Sequence, residues 1–79
     1  MKLNIEKYYR TINHSLKNNI MPAITGMSAR DAVFVLETNG FRVRLEGSGS
    51  VIRVTDKSEK TIVTGQKLVK GSLIKITLG

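Results

Sequence analysis

The chain has 79 residues, which is enough for one small domain and too few for two. It contains no cysteine, so neither a disulfide framework nor a thiolate metal site can supplement its core. Its formal net charge is +7, but the basic residues are spread along the chain without a long basic run, so charge alone does not indicate nucleic-acid binding.

No stretch of the sequence approaches the roughly 20 consecutive apolar residues that a membrane-spanning helix requires. The N-terminal residues also lack the uninterrupted apolar centre of a signal peptide. We therefore expect no membrane span in this chain, and any export signal of a parent protein to lie outside it.

Residues 1–20 are rich in Asn and Lys, and their apolar residues recur at roughly helical intervals: Leu3, Ile5, Tyr8, Ile12 and Leu16. Two interpretations remain open, an N-terminal amphipathic segment or a linker. Pro22 restricts the residue before it to extended geometry, so any helix must end earlier. We expect a boundary near residue 20 and one domain over residues 21–79.

A helix is predicted over residues 28–39. Ser28 is a good N-cap, and Asp31 in the first turn complements the helix dipole. Gly40 can adopt the left-handed conformation that ends a helix, which leaves Phe41 to contact Leu36. The apolar residues form one stripe, and those expected to face a sheet are Ala32, Val33 and Leu36.

Strands are predicted after this helix. Residues 41–46 alternate apolar and charged residues, and residues 72–78 alternate in the same way around Lys75. Residues 51–55 and 60–64 are β-branched stretches that suggest a hairpin. The expected fold class is α+β, with a single helix packed on a small antiparallel β-sheet of three to four strands.

Several short motifs stand out together: Met21-Pro22, Gly26-Met27-Ser28, Ala32, Leu36, Gly40-Phe41 and the alternating Arg42-Val43-Arg44-Leu45. In this order they resemble the first half of a PASTA domain, a domain family named for penicillin-binding proteins and serine/threonine kinases. Residues 65–78 resemble the closing Lys-Gly-Ser and last strand of the family. The resemblance is weaker over residues 52–64, where the proline usual in the family is missing.

The resemblance implies a non-catalytic module without a cofactor, located in the periplasm or otherwise outside the cytoplasm. It implies the C-terminal PASTA domain of a penicillin-binding protein, a cell-division transpeptidase whose catalytic domain lies outside this chain. The implied partners are peptidoglycan fragments or β-lactams, or the transpeptidase domain of the parent itself. The alternative function is a small basic nucleic-acid-binding domain, which the scarcity of aromatic stacking residues disfavours.

A cationic patch is the one candidate binding site. Arg42 and Arg44 share the outward face of their strand, Lys75 lies outward on the last strand, and Arg53 is a further candidate. Such a face suits carboxylates, which guanidinium groups bind bidentately. The alternative is an ordinary solvated sheet face that resists edge aggregation.

No catalytic or metal site is predicted. Ser72-Leu73-Ile74-Lys75 matches the Ser-x-x-Lys pattern of penicillin-binding catalytic domains, but that chemistry needs both residues one helical turn apart, and these lie on a predicted strand. His14 is the only histidine and has no neighbouring second ligand. Gly47-Ser48-Gly49-Ser50 lacks the helix that should follow a dinucleotide loop and is predicted to connect two strands.

Overall fold

The computed structural model describes residues 5–79, with side chains from residue 8 onwards. Two helices and a three-stranded sheet confirm the expected α+β class. In chain order the elements are α1 (Ile5–Lys17), α2 (Ala29–Thr38), β1 (Arg42–Gly47), β2 (Val51–Thr55) and β3 (Leu73–Leu78).

The N-terminal segment forms a helix, so the expectation of a single helix is wrong. Ile12 and Leu16 of α1 are buried in the hydrophobic core, and Tyr9 packs against that core. Leu3 lies outside the described residues, as does the side chain of Ile5. Of the two interpretations of this segment, the amphipathic one describes what the structure shows.

The end of α1 is a Schellman motif, in which a residue of left-handed conformation closes the last turn. Asn19 has φ +60°, and its N–H donates to Leu16 O at 3.0 Å. The Ile20 N–H donates back to Ser15 O at 2.9 Å. Asn tolerates this conformation better than most residues, which explains why α1 ends at Lys17, well before Pro22.

Backbone hydrogen bonds join the segment after α1 to the loop before β3. Met21 N–H donates to Gln66 O at 2.9 Å, and Gly65 N–H donates to Met21 O at 2.8 Å. Leu68 N–H donates to Asn19 O at 2.6 Å. These three hydrogen bonds hold residues 19–21, which follow α1, against residues 65–68 of the loop before β3.

The caps predicted for α2 are confirmed. The Asp31 N–H donates to Ser28 Oγ at 3.2 Å. At the other end Gly40 has φ +89°, and the Phe41 N–H donates to Leu36 O at 3.0 Å, which is a second Schellman motif. The helix lies between these two caps because each satisfies backbone groups that the helix itself leaves unpaired.

The buried face of α2 is rotated from the predicted one. Ala32 and Leu36 are buried as expected, but Val35 is buried in place of Val33, which is half-buried. The reason is α1, which contacts the side of α2 that carries Asp31, Val35 and Asn39 at four-residue intervals. The predicted stripe assumed a sheet as the only packing partner.

The sheet has the order β1-β3-β2, so the last strand of the chain lies in its centre. β3 runs parallel to β1 and antiparallel to β2, which makes the sheet mixed instead of wholly antiparallel. The reason is topological: β1 and β2 run in opposite directions, and a strand inserted between them must be parallel to one. Ile74, Ile76 and Leu78 of β3 face the helices and are buried.

The connection between β1 and β2 crosses the end of β3, as two glycines make clear. A Cβ on Gly47 would lie 2.5 Å from Leu78 O, and a Cβ on Gly49 would lie 2.8 Å from Gly79 C. Both glycines also have positive φ, +88° and +114°. The Gly-Ser-Gly-Ser segment is thus a strand connection, as predicted, that passes too close to backbone for larger residues.

The predicted hairpin over residues 51–55 and 60–64 forms only at its turn. Asp56 Oδ1 accepts hydrogen bonds from Ser58 N–H at 2.8 Å and Lys60 N–H at 3.0 Å. Beyond the turn, one bridge between Thr55 and Thr61 and the Ile62 N–H to Val54 O bond, at 2.9 Å, are the pairing that remains. Residues 61–64 form no strand because the chain then leaves β2 to pair with the residues after α1.

Candidate functional site

The outer face of the sheet, turned away from the helices, is the candidate site, and the strand register places its first two arginines. In the parallel β1–β3 pair, Arg42 lies opposite Leu73 and Arg44 opposite Lys75. Ile74 and Ile76 point inward, so alternation puts these positions on the outer face. Arg42 and Arg44 are exposed, with Cα atoms roughly 7 Å apart at strand spacing.

A β-bulge determines where Arg53 points. Val51 pairs with Leu78 and Arg53 pairs with the neighbouring Thr77, so two steps along β2 correspond to one step along β3. In a regular strand without a bulge, Arg53 would share the inner face with the buried Val51, which lies two residues before it. The bulge moves Arg53 to the outer face, where it lies beside β3 on the side opposite Arg44.

Lys75 lies between these arginines and is not a free cation. Its Nζ donates to Glu59 Oε1 and lies 3.5 Å from Glu46 Oε1. The hydrogen bond to Glu59 and the charge of Glu46 raise the pKa of Lys75 above its ordinary value of 10.5, against the opposing effect of burial. The Lys75 side chain retains only 13% exposure, and it holds the 56–60 turn against the outer face.

Unlike Lys75, the three arginines of this face, Arg42, Arg44 and Arg53, have no carboxylate partner among the side chains of residues 8–79. Their guanidinium groups are exposed, so their donors are open to a ligand from solution. The structure thus brings the four predicted residues to one face, with three of them available and the fourth neutralised.

A groove of about 440 Å³ opens at the Arg42 end of this face. Apolar lining comes from Ile62, Leu68, Val69 and Leu73. Lys57 and Lys67 also line it and form no ion pair among the described side chains, whereas Asp56 is occupied by the hydrogen bonds of its own turn. The groove therefore combines an apolar surface with cations.

Sequence reasoning did not find Lys57 and Lys67, because they come from two loops that are separated along the chain. No periodic pattern relates them to Arg42. The turn residues Asp56 and Gly71 mark those loops in the sequence, but only the pairing of residues 65–68 with residues 19–21 brings the second loop to its place.

Ser72 and Lys75 have no catalytic arrangement. Ser72 precedes β3, and Lys75 is the third residue of that strand, where its ammonium group is bound by Glu59 and Glu46. The predicted strand is confirmed over Leu73–Leu78. Within the described part of the chain, no helix is long and apolar enough to cross a membrane, and no three metal-binding side chains cluster together.

The structure is a small sheet with helices on one face and exposed arginines on the other. The PASTA domain family matches residues 19–79, which is most of the chain, and the chain belongs to that family. No curated protein and no solved structure matches it.

PASTA domains are non-catalytic binding and sensing modules that occur in penicillin-binding proteins and kinases. They generally lie outside the cell in membrane-anchored proteins and bind peptidoglycan or β-lactam-like ligands. The matched region begins just after α1. Helix α1 thus lies outside the matched region, and its buried residues pack into the same hydrophobic core.

Proposed function

We propose that this chain is the C-terminal PASTA module of a penicillin-binding protein, a transpeptidase of peptidoglycan synthesis in cell division. In this proposal the chain is extracytoplasmic and catalysis belongs to another domain of a membrane-anchored parent. Membership of the PASTA family supports the proposal. The domain proper spans residues 21–79, and α1 extends it on the N-terminal side.

The proposed activity is weak, non-covalent recognition of carboxylates on peptidoglycan fragments or β-lactams. The observation that carries it is the set of three exposed arginines on one sheet face, none of them in a salt bridge among residues 8–79. A guanidinium group presents a planar fork of donors that matches a carboxylate, so Arg42 and Arg44 on one strand suit a peptide with two acidic groups. Lys75 contributes to the shape of the site by holding the 56–60 turn.

The groove beside Arg42 supports a ligand with both charged and apolar parts. Leu68 and Leu73 offer apolar contact close to the guanidinium, and Lys57 and Lys67 add positive charge at the rim. No aromatic ring lines the groove, so the surface is better suited to peptide side chains than to stacking against sugars. The open shape implies modest affinity.

Retention on purified sacculi tests this function. Reversal of both charges in R42E/R44E should abolish retention, because both carboxylate forks are replaced by like charges. The matched control R10E/R30E changes the net charge equally, but on the helices, and should bind to sacculi almost as well as the wild type. Circular dichroism of each variant checks that the fold persists, and the milder R42Q/R44Q variant removes charge without adding repulsion.

Equal losses in R10E/R30E would mean that retention depends on net charge alone. Equal binding to DNA-cellulose, lost steeply as salt rises, would favour the alternative nucleic-acid-binding function. Undiminished retention in R42E/R44E would contradict the arginine site.

A second candidate role is packing against the parent's own transpeptidase domain. It is favoured by Phe34, whose side chain is 65% exposed on the side of α2 opposite the core. Large aromatic side chains at such positions are typical of contact surfaces between domains. Replacement of Phe34 by Ser should then weaken co-purification with a separately expressed transpeptidase domain and leave retention on sacculi intact.

A further inference from the structure

We propose that β1 is a self-pairing edge, through which two copies of this chain join their sheets in antiparallel orientation. The sheet order leaves β1 with a neighbour on one side only. Its other side presents a row of backbone donors and acceptors that another strand can bond. The occupant is a second copy, and the reason lies in the charges of β1 itself.

The first step is to identify which backbone groups of β1 are free. The Arg42 N–H donates to Ser72 O at 3.1 Å, toward β3. Successive residues of a strand direct their N–H and C=O groups to opposite sides, so Arg44 and Glu46 also face β3, while Val43 and Leu45 face away from it. In the part of the chain that the structure describes, no intramolecular hydrogen bond reaches those outward groups.

The second step is that β1 lacks the usual structural protection of an edge. It contains no proline, only its last residue, Gly47, leaves the extended conformation, and the bulge of this sheet lies in β2. Leu45 is 42% exposed although its position opposite Ile76 puts it on the inner face. A second β1 alongside would cover this side chain.

The third step is the register of the two β1 strands. Residues whose backbone groups face away from β3 must lie opposite residues of the same kind in the second copy. Centred on Leu45, the antiparallel pair sets Arg44 of each copy opposite Glu46 of the other and Leu45 against Leu45. Centred on Val43, it sets Arg42 against Arg44. Centred on Arg44 or on Glu46, it sets like charges against each other at the middle.

Only the Leu45-centred register has two opposite-charge pairs and no like-charge pair, and cross-strand pairs of this kind stabilise a sheet while like charges opposite each other destabilise it. The charges that would protect the edge against other strands therefore complement a second copy. A twofold contact of this kind closes on itself, so the expected species is a dimer with one six-stranded sheet.

The dimer would set the outer faces of both copies side by side and so bring Arg42 and Arg53 of each copy onto one surface, with Arg44 paired to Glu46 of the other copy. Binding to a polymer such as peptidoglycan would then gain from two attachment points. The pairing itself needs no ligand and does not depend on the proposed function. Its failure would leave the carboxylate site unaffected.

Sedimentation velocity of the full chain over a concentration series tests the pairing. We expect wild type to form a concentration-dependent dimer, and R44E and E46R each to stay monomeric because each sets like charges opposite one another. The charge-swapped double variant R44E/E46R restores both opposite-charge pairs at unchanged net charge and should dimerise again. R30E matches the charge change of R44E on α2 and should still dimerise.

E46R also removes a partner of Lys75, so L45P provides a second probe that leaves both charges in place. Proline is tolerated where the N–H of an edge strand faces solvent, and here it removes an outward donor from the centre of the contact. L45P should fold by circular dichroism and remain monomeric. A monomeric wild type, dimerisation of both single charge variants, or growth beyond a dimer would each overturn the proposal.

Discussion

Asn39, the C-cap residue of α2, donates a hydrogen bond from Nδ2 to Asn13 Oδ1 of α1 at 2.9 Å. The same amide donates its second hydrogen to Val35 O at 2.7 Å, so both of its donors are used. Asn39 lies inside the region that matches the PASTA family, and Asn13 lies before it. Helix α1 thus contributes to the end of a helix that belongs to the family fold.

Helix α1 should accordingly contribute to the stability of the whole domain. Leu16→Ala removes a side chain that is almost fully buried, and we expect the free energy of unfolding to fall by about 2 to 5 kcal/mol. Urea denaturation followed by circular dichroism measures it. Arg10→Ala, at an exposed position of the same helix, is the control and should change stability by less than about 0.5 kcal/mol. Equal midpoints for the two variants would show that α1 is not part of the folded unit.

The rotated face of α2 leads to a second prediction. Leu36→Ala should lower the free energy of unfolding by about 2 to 5 kcal/mol, because Leu36 is fully buried. Val33→Ala removes a half-buried side chain and should have an effect below about 1 kcal/mol, since alanine also favours the helix. Thermal denaturation of both variants gives the comparison. A larger loss for Val33→Ala would return the buried face to the one predicted from the sequence.

The crossing of β3 by the β1–β2 connection can be tested at two glycines with almost the same φ. Gly47→Ala places a methyl group against Leu78 O, whereas Gly26→Ala, at φ +91°, meets no atom within 4 Å. Gly26→Ala should destabilise by about 1 to 2 kcal/mol from backbone strain alone. Gly47→Ala should destabilise more, since the backbone of Leu78 must also move. Equal losses in a chemical denaturation series would show that the connection does not cross the strand closely.

The contact between Tyr9 and Asp31 predicts an alkaline dependence. The hydrogen bond from the Tyr9 hydroxyl to the Asp31 carboxylate raises the pKa of Tyr9 above its ordinary value of 10.0. Because the folded pKa is the higher one, this contribution to stability is complete below pH 10 and is lost as pH rises through the folded pKa.

The titration of Tyr9 can be followed by tyrosinate absorbance in a Tyr8→Phe variant, which leaves Tyr9 as the only tyrosine. We expect a midpoint above 10.0 that falls when Asp31→Asn is added, because the asparagine removes the negative charge. An unchanged midpoint in the second variant would assign the shift to burial.

How much of this protein the sequence predicts depends on the range of the interactions involved. Helix α2 was predicted with both caps because Ser28 and Gly40 act on backbone groups within one turn of themselves. The alternation around Lys75 predicted β3 in the same way. The outward direction of Arg42 and Arg44 follows from the same two-residue period.

The N-terminal helix shows the limit of such local reasoning. Ile12 and Leu16 have helical spacing, but their burial depends on the contacts of α1 with α2 and the core. The left-handed Asn19 that ends α1 was not recognised as a cap, since Asn in a polar segment is equally typical of a linker.

The sequence by itself determined the caps of α2, the alternation of β1 and β3, and thereby the cationic outer face, because each depends on neighbours a few residues away. The tertiary structure alone decided which of those cations is free. Arg53 lies on the outer face only because β2 pairs with β3 through a bulge at Ile52. Glu59, on a remote turn, neutralises Lys75. Both effects depend on contacts between residues distant in the chain, and the local periodicity of a sequence does not indicate such contacts.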